Sequence, residues 1–152
     1  YEILTGLVGS EMCIRDRART ADDVAAVPGK ITEVGGELRT HGKPTFGSSK
    51  HLAQMLLEVR KSDSTKSAII NIRPPGDFDG TDIDVVQEAC NQLNWELADA
   101  DRSGLEDSSS VIDVVLDIGD FGWEPSLYVL GTSPLDVVDR CHTLITTLGG
   151  MQ

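Results

Sequence analysis

The chain has 152 residues, 39% of them hydrophobic and 25% charged, which suits one globular domain of ordinary size rather than a disordered chain. Its formal net charge of -12 argues against a nucleic-acid-binding surface, which needs clustered Lys and Arg, but leaves room for a small basic pocket. No apolar stretch approaches the ~20 residues of a membrane helix, and Cys13, Cys90 and Cys141 form neither a CxxC nor a metal spacing, which points to a reducing cytosol.

The first 17 residues, YEILTGLVGSEMCIRDR, lack the basic start and the small-residue cleavage site of a signal peptide. The string VGSEMCIRDR resembles a translated sequencing adapter. Residues 1–17 are therefore expected to be non-native and to stand in place of a lost N-terminus, with residues 18–152 as the domain. The alternative is a genuine first strand through Ile3, Leu4, Leu7 and Val8. Thr20 followed by Asp23 resembles a capping box and predicts a short helix through Val27, ended by Pro28-Gly29. Residues 31–40 alternate around Gly35-Gly36, the pattern of a strand pair or a bulged strand. A Gly/Ser loop over 42–50 leads into a helix from about Lys50 to Lys61, with Leu52, Met55, Leu56 and Val59 on one face.

Residues 67–72 read as a short apolar strand stopped by Pro74-Pro75. After the polar loop GDFDGTD, a helix is predicted over 82–93 with Ile83, Val86, Cys90 and Leu93 inward. Strands follow at 95–99, 111–118 and 126–130, with an acidic, Ser-rich loop over 101–110. Ser133 caps a last helix, Pro134 occupies its first turn and Gly149-Gly150 ends it. The predicted core stripe of this helix is Leu135, Val138, Cys141, Leu144 (or Ile145) and Leu148. Alternating helices and strands make the class α/β, expected as a single three-layer α/β/α domain with a mixed sheet.

Four places combine special backbone with polar groups. The first is Gly47-Ser48-Ser49-Lys50-His51 at the mouth of a helix, where N–H groups, hydroxyls and the helix dipole favour a phosphate and His51 could bind it or move a proton. An ordinary Ser cap with an exposed His fits the same residues. The second is Asn71 and Arg73 at the end of a buried strand, where α/β sheets place ligands and where Arg suits a phosphate or a salt bridge. The third is Asp117, Asp120 and Glu124 in DIGDFGWEP, either Mg²⁺ ligands or carboxylates serving a turn. The fourth is Arg102, a second anion contact or an exposed charge. His41 and His142 lack ligand-spaced partners, and no P-loop, GxGxxG, GxSxG or HExxH is present.

The order and spacing of ADDVAAVPGKI, GKPTFGSSKHLAQMLL, SAIINIR, ADADR and DVVLDIGDFGWEP…YVLGTSPLDVV resemble the archaeal-type thiamine-phosphate synthase domain, the ThiN family, over residues 18–145. The resemblance implies joining hydroxymethylpyrimidine diphosphate to hydroxyethylthiazole phosphate, giving thiamine monophosphate and pyrophosphate. It also admits a thiamine-phosphate sensor half of a transcriptional regulator, without catalysis. It implies Lys30 and His51 as catalytic residues and Gly47, Ser48, Ser49, Asn71 and Arg73 on phosphates, beside which the residues themselves offer Arg102 as a further phosphate contact and Asp120 as a Mg²⁺ ligand, and point to a cytoplasmic protein. It implies phosphorylated small-molecule partners, no membrane, no direct nucleic-acid contact, and it allows a homodimer. The family pattern reads VPGRI where this chain has Lys30, and Lys in the GKEP stretch where this chain has Trp123. The segment from Arg102 to Val111 is shorter than the family's and lacks its Glu-Trp-Gly element.

Overall fold

The structure, a computed structural model, describes residues 11–14, 20–35, 37–76, 82–100 and 111–151. Among these residues a seven-stranded sheet runs in the order β5-β2-β1-β6-β9-β8-β7. Its strands are β1 (Glu11–Ile14), β2 (Val24–Ala26), β5 (Thr45–Phe46), β6 (Ala68–Ile72), β7 (Leu97–Asp99), β8 (Val114–Asp117) and β9 (Ser126–Gly131). Only β7 and β8 pair in parallel, so the sheet is mixed. β3 (Thr32–Val34) and β4 (Glu37–Arg39) form a separate hairpin turning at Gly35, as their alternation predicts.

The central strands alternate their side chains between two cores, the period-2 geometry of a strand covered on both faces. Ile69, Val115, Tyr128 and Leu130 face one core with Leu52, Ala53, Met55, Leu56 and Val59 of α1 (Lys50–Ser62). Ala68, Ile70, Ile72, Val114, Leu116, Leu127 and Val129 face the other. That second core is closed by α2 (Ile83–Leu93) and α3 (Pro134–Gly149), with the thiols of Cys90 and Cys141 buried in it. This is the expected three-layer α/β/α domain.

β1 lies within the segment that the sequence sets apart as foreign, and its backbone pairs with both β2 and β6. Ile3, Leu4, Leu7 and Val8 lie outside the described residues, as do Arg102 and the loop over 101–110.

Three details of the sequence reading change. The helix expected through Val27 is one 3₁₀ turn, Ala21–Asp23, followed by β2. The cap itself forms, with Asp23 Oδ2 accepting from the Thr20 N–H at 3.1 Å. Three residues later the backbone bonds are taken by β1 and β5, which bury Val24 and Ala26 as alternate residues of a strand. In α2, Ile83 is exposed and the inward face is Val86, Ala89 and Cys90. In α3, Leu135 and Val138 are exposed and Val137 leads the buried stripe with Cys141, Leu144 and Leu148. Gly131 sets that phase: a Cβ built there would lie 2.7 Å from the Val137 backbone nitrogen, so the helix start rests directly on β9.

At one end of the sheet Asp113 binds Lys66 at 2.9 Å and Arg140, and accepts the Glu96 N–H at 3.1 Å. Lys66 is only 4% exposed, and the Arg140 guanidinium carbon stands 4.1 Å over the Trp95 ring. Burial alone would push Asp113 up, but the hydrogen bonds from Lys66 and Glu96 and the charges of Lys66 and Arg140 hold its carboxyl below the usual range. This cluster ties the start of β6, the entry to β8 and α3 together, at the opposite end of β6 from Asn71 and Arg73.

Candidate functional site

The site forms at the other end of the sheet, where β6 and β8 finish, β9 begins and α1 starts. Strand register decides its membership. Asn71 pairs with Tyr128, Tyr128 with Val115, and Ser126 with Asp117. Tyr128 and Val115 face the α1 core, so Asn71, Ser126 and Asp117 stand on that same face, just beyond the apolar packing.

α1 begins after Ser49, which has extended backbone and makes no side-chain cap bond. By helix geometry its first N–H groups lack an intrahelical acceptor. Its first turn carries no carboxylate, only Lys50 and His51. The Lys50 cation at the positive end of the helix dipole disfavours the isolated helix by a few tenths of a kcal/mol or more, up to ~1, and an arriving anion reverses the sign of that effect.

The loop before α1 is braced from below. Gly47 has φ +72°, donates its N–H to Val24 O at 3.1 Å, and would bring a Cβ within 3.0 Å of Asp22 Oδ1. The Ser48 hydroxyl lies 2.8 Å from both the Ala26 and Thr45 carbonyl oxygens, which share its single proton. These contacts use the Gly47 N–H and the Ser48 hydroxyl to shape the loop.

His51 is exposed, and its Nε2 lies 3.2 Å from the Tyr128 hydroxyl. One of the two donates to the other according to the imidazole tautomer. Tyr128 is 2% exposed, and burial and then the negative charge of Asp117 push its phenol up, against a hydrogen bond with the Ser126 side chain. Tyr128 therefore stays a neutral phenol at physiological pH.

The β8–β9 turn supplies the rest. Asp117 Oδ1 accepts the Gly119 N–H at 2.9 Å, and Asp117 Oδ2 accepts the Trp123 indole N–H at 3.0 Å. Asp120 and Trp123 close the turn through paired backbone bonds of 3.2 and 2.8 Å. Gly119 has φ +78°, and a Cβ there would sit 2.5 Å from the Trp123 carbonyl, so the turn requires glycine. The Trp123 and His51 rings meet edge to face at 5.0 Å. Next in the chain, Glu124 Oε2 lies 3.3 Å from Lys30 Nζ.

The structure thus brings His51 and Trp123 into contact, adds Tyr128 below them, and places Asn71 on the same face and Arg73 at the exposed strand end. Both Asn71 and Arg73 have interaction partners. The three loop carboxylates serve the turn and Lys30: Asp120 Oδ1 accepts the Phe121 N–H at 2.7 Å. Among the described residues no group of three or more His, Cys, Asp or Glu could hold a metal ion. The described residues alone therefore build no Mg²⁺ cage around Asp120. Tyr128 and Ser126 escaped the sequence reading. The available signal was a phenol two residues after a serine in an otherwise apolar strand, a buried hydroxyl that needs a partner.

The model of the family described as thiamine-phosphate synthase ThiN matches residues 7–143 of this chain. This chain belongs to the ThiN family. That match begins 11 residues before Ala18 and includes β1. The ThiN domain is 25% identical over 138 residues to the thiamine-phosphate synthase ThiN of Methanothermobacter thermautotrophicus, covering 78% of this chain and 68% of the relative. It is 29% identical over 132 residues to the bifunctional thiamine biosynthesis protein ThiDN of Methanocaldococcus jannaschii, covering 80% of this chain but 31% of that longer protein. The ThiN fold is seen in the crystal structure of the C-terminal domain of protein MJ0236, at TM-score 0.79 and 20% identity, covering all (100%) of this chain and 88% of that one. It is seen also in the C-terminal domain of a phosphomethylpyrimidine kinase, at TM-score 0.74 and 24% identity, covering 91% of this chain and 85% of that one. Membership places the chain in a family of thiamine biosynthesis. Among the described residues no helix is long and apolar enough to cross a membrane.

Proposed function

We propose that this domain joins hydroxymethylpyrimidine diphosphate to hydroxyethylthiazole phosphate, releasing thiamine monophosphate and pyrophosphate. The carrying observation is the start of α1: a helix mouth without carboxylates, bearing Lys50 and His51, set beside the Asn71–Arg73 strand end. In the reaction the bond from the pyrimidine methylene carbon to the diphosphate oxygen breaks, and the electron pair leaves with pyrophosphate. The thiazole nitrogen then forms the new C–N bond and becomes cationic. No proton needs to move in these two steps, so the protein's task is to hold two substrates in line and neutralise the departing anion.

Each residue has a part in that task. The α1 N–H groups with Ser49, His51 and Arg73 bind the departing diphosphate. Asn71 orients a phosphate oxygen or ring nitrogen. Lys30, held by Glu124 in the described structure, supplies a further cation when a phosphate displaces the carboxylate. Arg102, outside the described residues, and a homodimeric assembly belong to the same proposal. Magnesium enters only as an accompaniment of the diphosphate.

A second reading, a thiamine-phosphate sensor without catalysis, is favoured by the Lys30–Glu124 pair, which neutralises the cation where the family has arginine. The test is product formation. Purified protein given both substrates, with and without Mg²⁺, should make thiamine monophosphate at a rate that His51→Ala lowers at least tenfold. Binding of thiamine monophosphate without any synthesis would select the sensor.

A further inference from the structure

The indole of Trp123 is built into the site but is used by nothing in the anion chemistry above. It is held at three points: its N–H by Asp117 Oδ2 at 3.0 Å, its backbone by the Asp120 turn bonds, and its edge-to-face contact with His51 at 5.0 Å. Yet the residue stays 49% exposed. A large aromatic side chain fixed by a carboxylate and left half open beside a polar cluster is unusual for a surface residue, whose rotamers are normally free. The indole N–H donates to a carboxylate, which adds electron density to the ring and strengthens its attraction for a cation over its face. The other charged groups around it are Lys30 and Glu124, paired with each other, and Asp120, engaged with its own turn.

We propose that Trp123 is the platform on which the ligand's heteroaromatic ring stacks, and that it favours a cationic ring over a neutral one. This rests on the reading of the site as a thiamine-phosphate site. It adds a specificity residue: phosphate groups are held at α1 and the strand end, while Trp123 recognises the ring. Because the thiazole nitrogen gains positive charge only as the C–N bond forms, the same contact binds the product more tightly than the neutral thiazole substrate.

The experiment uses the full chain carrying Trp95→Phe, so that Trp123 is the only tryptophan. Fluorescence is followed while thiamine monophosphate, hydroxyethylthiazole phosphate or inorganic pyrophosphate is added, and affinities are repeated by calorimetry on Trp123→Leu. The expected result is quenching by both ring ligands but not by pyrophosphate. Trp123→Leu should weaken thiamine monophosphate by ~3- to 30-fold, weaken the neutral thiazole phosphate less, and leave pyrophosphate unchanged. Thiamine monophosphate binding that ignores Trp123→Leu overturns the platform while leaving the phosphate site standing, and equal losses for the cationic and neutral rings overturn its preference for a cation. A folded parent that binds none of the three overturns both. Should Trp123→Leu disturb the turn, Trp123→Phe, which keeps an aromatic face without the indole N–H, must show an intermediate loss.

Discussion

Asp113→Ala tests the clamp at the end of the sheet remote from the site. The substitution removes the carboxylate that faces Lys66 at 2.9 Å and Arg140 and that accepts the Glu96 N–H. At an effective dielectric of ~20 the Lys66 contact alone is worth about 6 kcal/mol of Coulomb attraction. Much of that gain is offset by the cost of taking both ions out of water. The loss on breaking the pair is larger than the net worth of the pair, because Lys66, 4% exposed, is left charged and buried next to Arg140. The expected destabilisation is ~3–5 kcal/mol, a fall of about 6–20 °C in Tm for a chain of this size. Urea melts followed by fluorescence measure it, since Trp95 lies under Arg140 and reports the cluster directly.

Acid gives the same answer by a second route. The folded pKa of Asp113 lies below its unfolded value. The pair's contribution is therefore complete above about pH 4 and disappears as pH falls through the folded pKa. The wild type should lose stability in that acid window, and Asp113→Asn should lose less there. An Asp113→Ala variant within about 1 kcal/mol of wild type, the scale of an exposed ion pair, would refute the buried-clamp reasoning.

Gly131→Ala should undock the start of α3, because its methyl meets the Val137 backbone at 2.7–2.8 Å with no flexible side chain to yield; a cost of at least ~1–3 kcal/mol is expected in urea melts. Tyr128→Phe leaves His51 Nε2 without its 3.2 Å partner; stability should fall by only ~0.5–1.5 kcal/mol, whereas affinity for thiamine monophosphate should fall as the imidazole loses its orienting bond, and an unchanged affinity would free His51 from Tyr128. Alkaline pH should act at Cys90, whose thiol is raised by burial and then by Asp113 to about 11. A raised folded pKa means that this stability is intact below the unfolded thiol value of about 8.5 and fades as pH climbs towards 11. Thiol labelling of Cys90 should accordingly track unfolding rather than solvent access.

Much of this domain can be read along the chain itself. The stripe Leu52, Met55, Leu56 and Val59 repeats at 3 and 4 residues, and all four are buried in α1. The Ala68–Ile72 run, stopped by proline, and the Ser133 cap accepting from the Asp136 N–H are equally local. So is His51 at the head of a helix. These features depend on residues within a turn or two of one another, and periodicity and capping record such neighbours.

What only the tertiary structure decided depends on partners far along the chain. Val24–Ala26 is too short for its apolar content to choose between helix and strand, and pairing with β1 and β5 chose. The inward face of α3 begins at Val137 because Gly131 admits a backbone there, a close approach that no helical period encodes. Tyr128 meets His51 across 77 residues, and Lys30 meets Glu124 across 94. The first joins a helix to a strand and the second joins two loops, so no local pattern records either. The order of the strands, and hence the make-up of the site, is settled by which apolar faces bury one another, an interaction without direction or sequence distance.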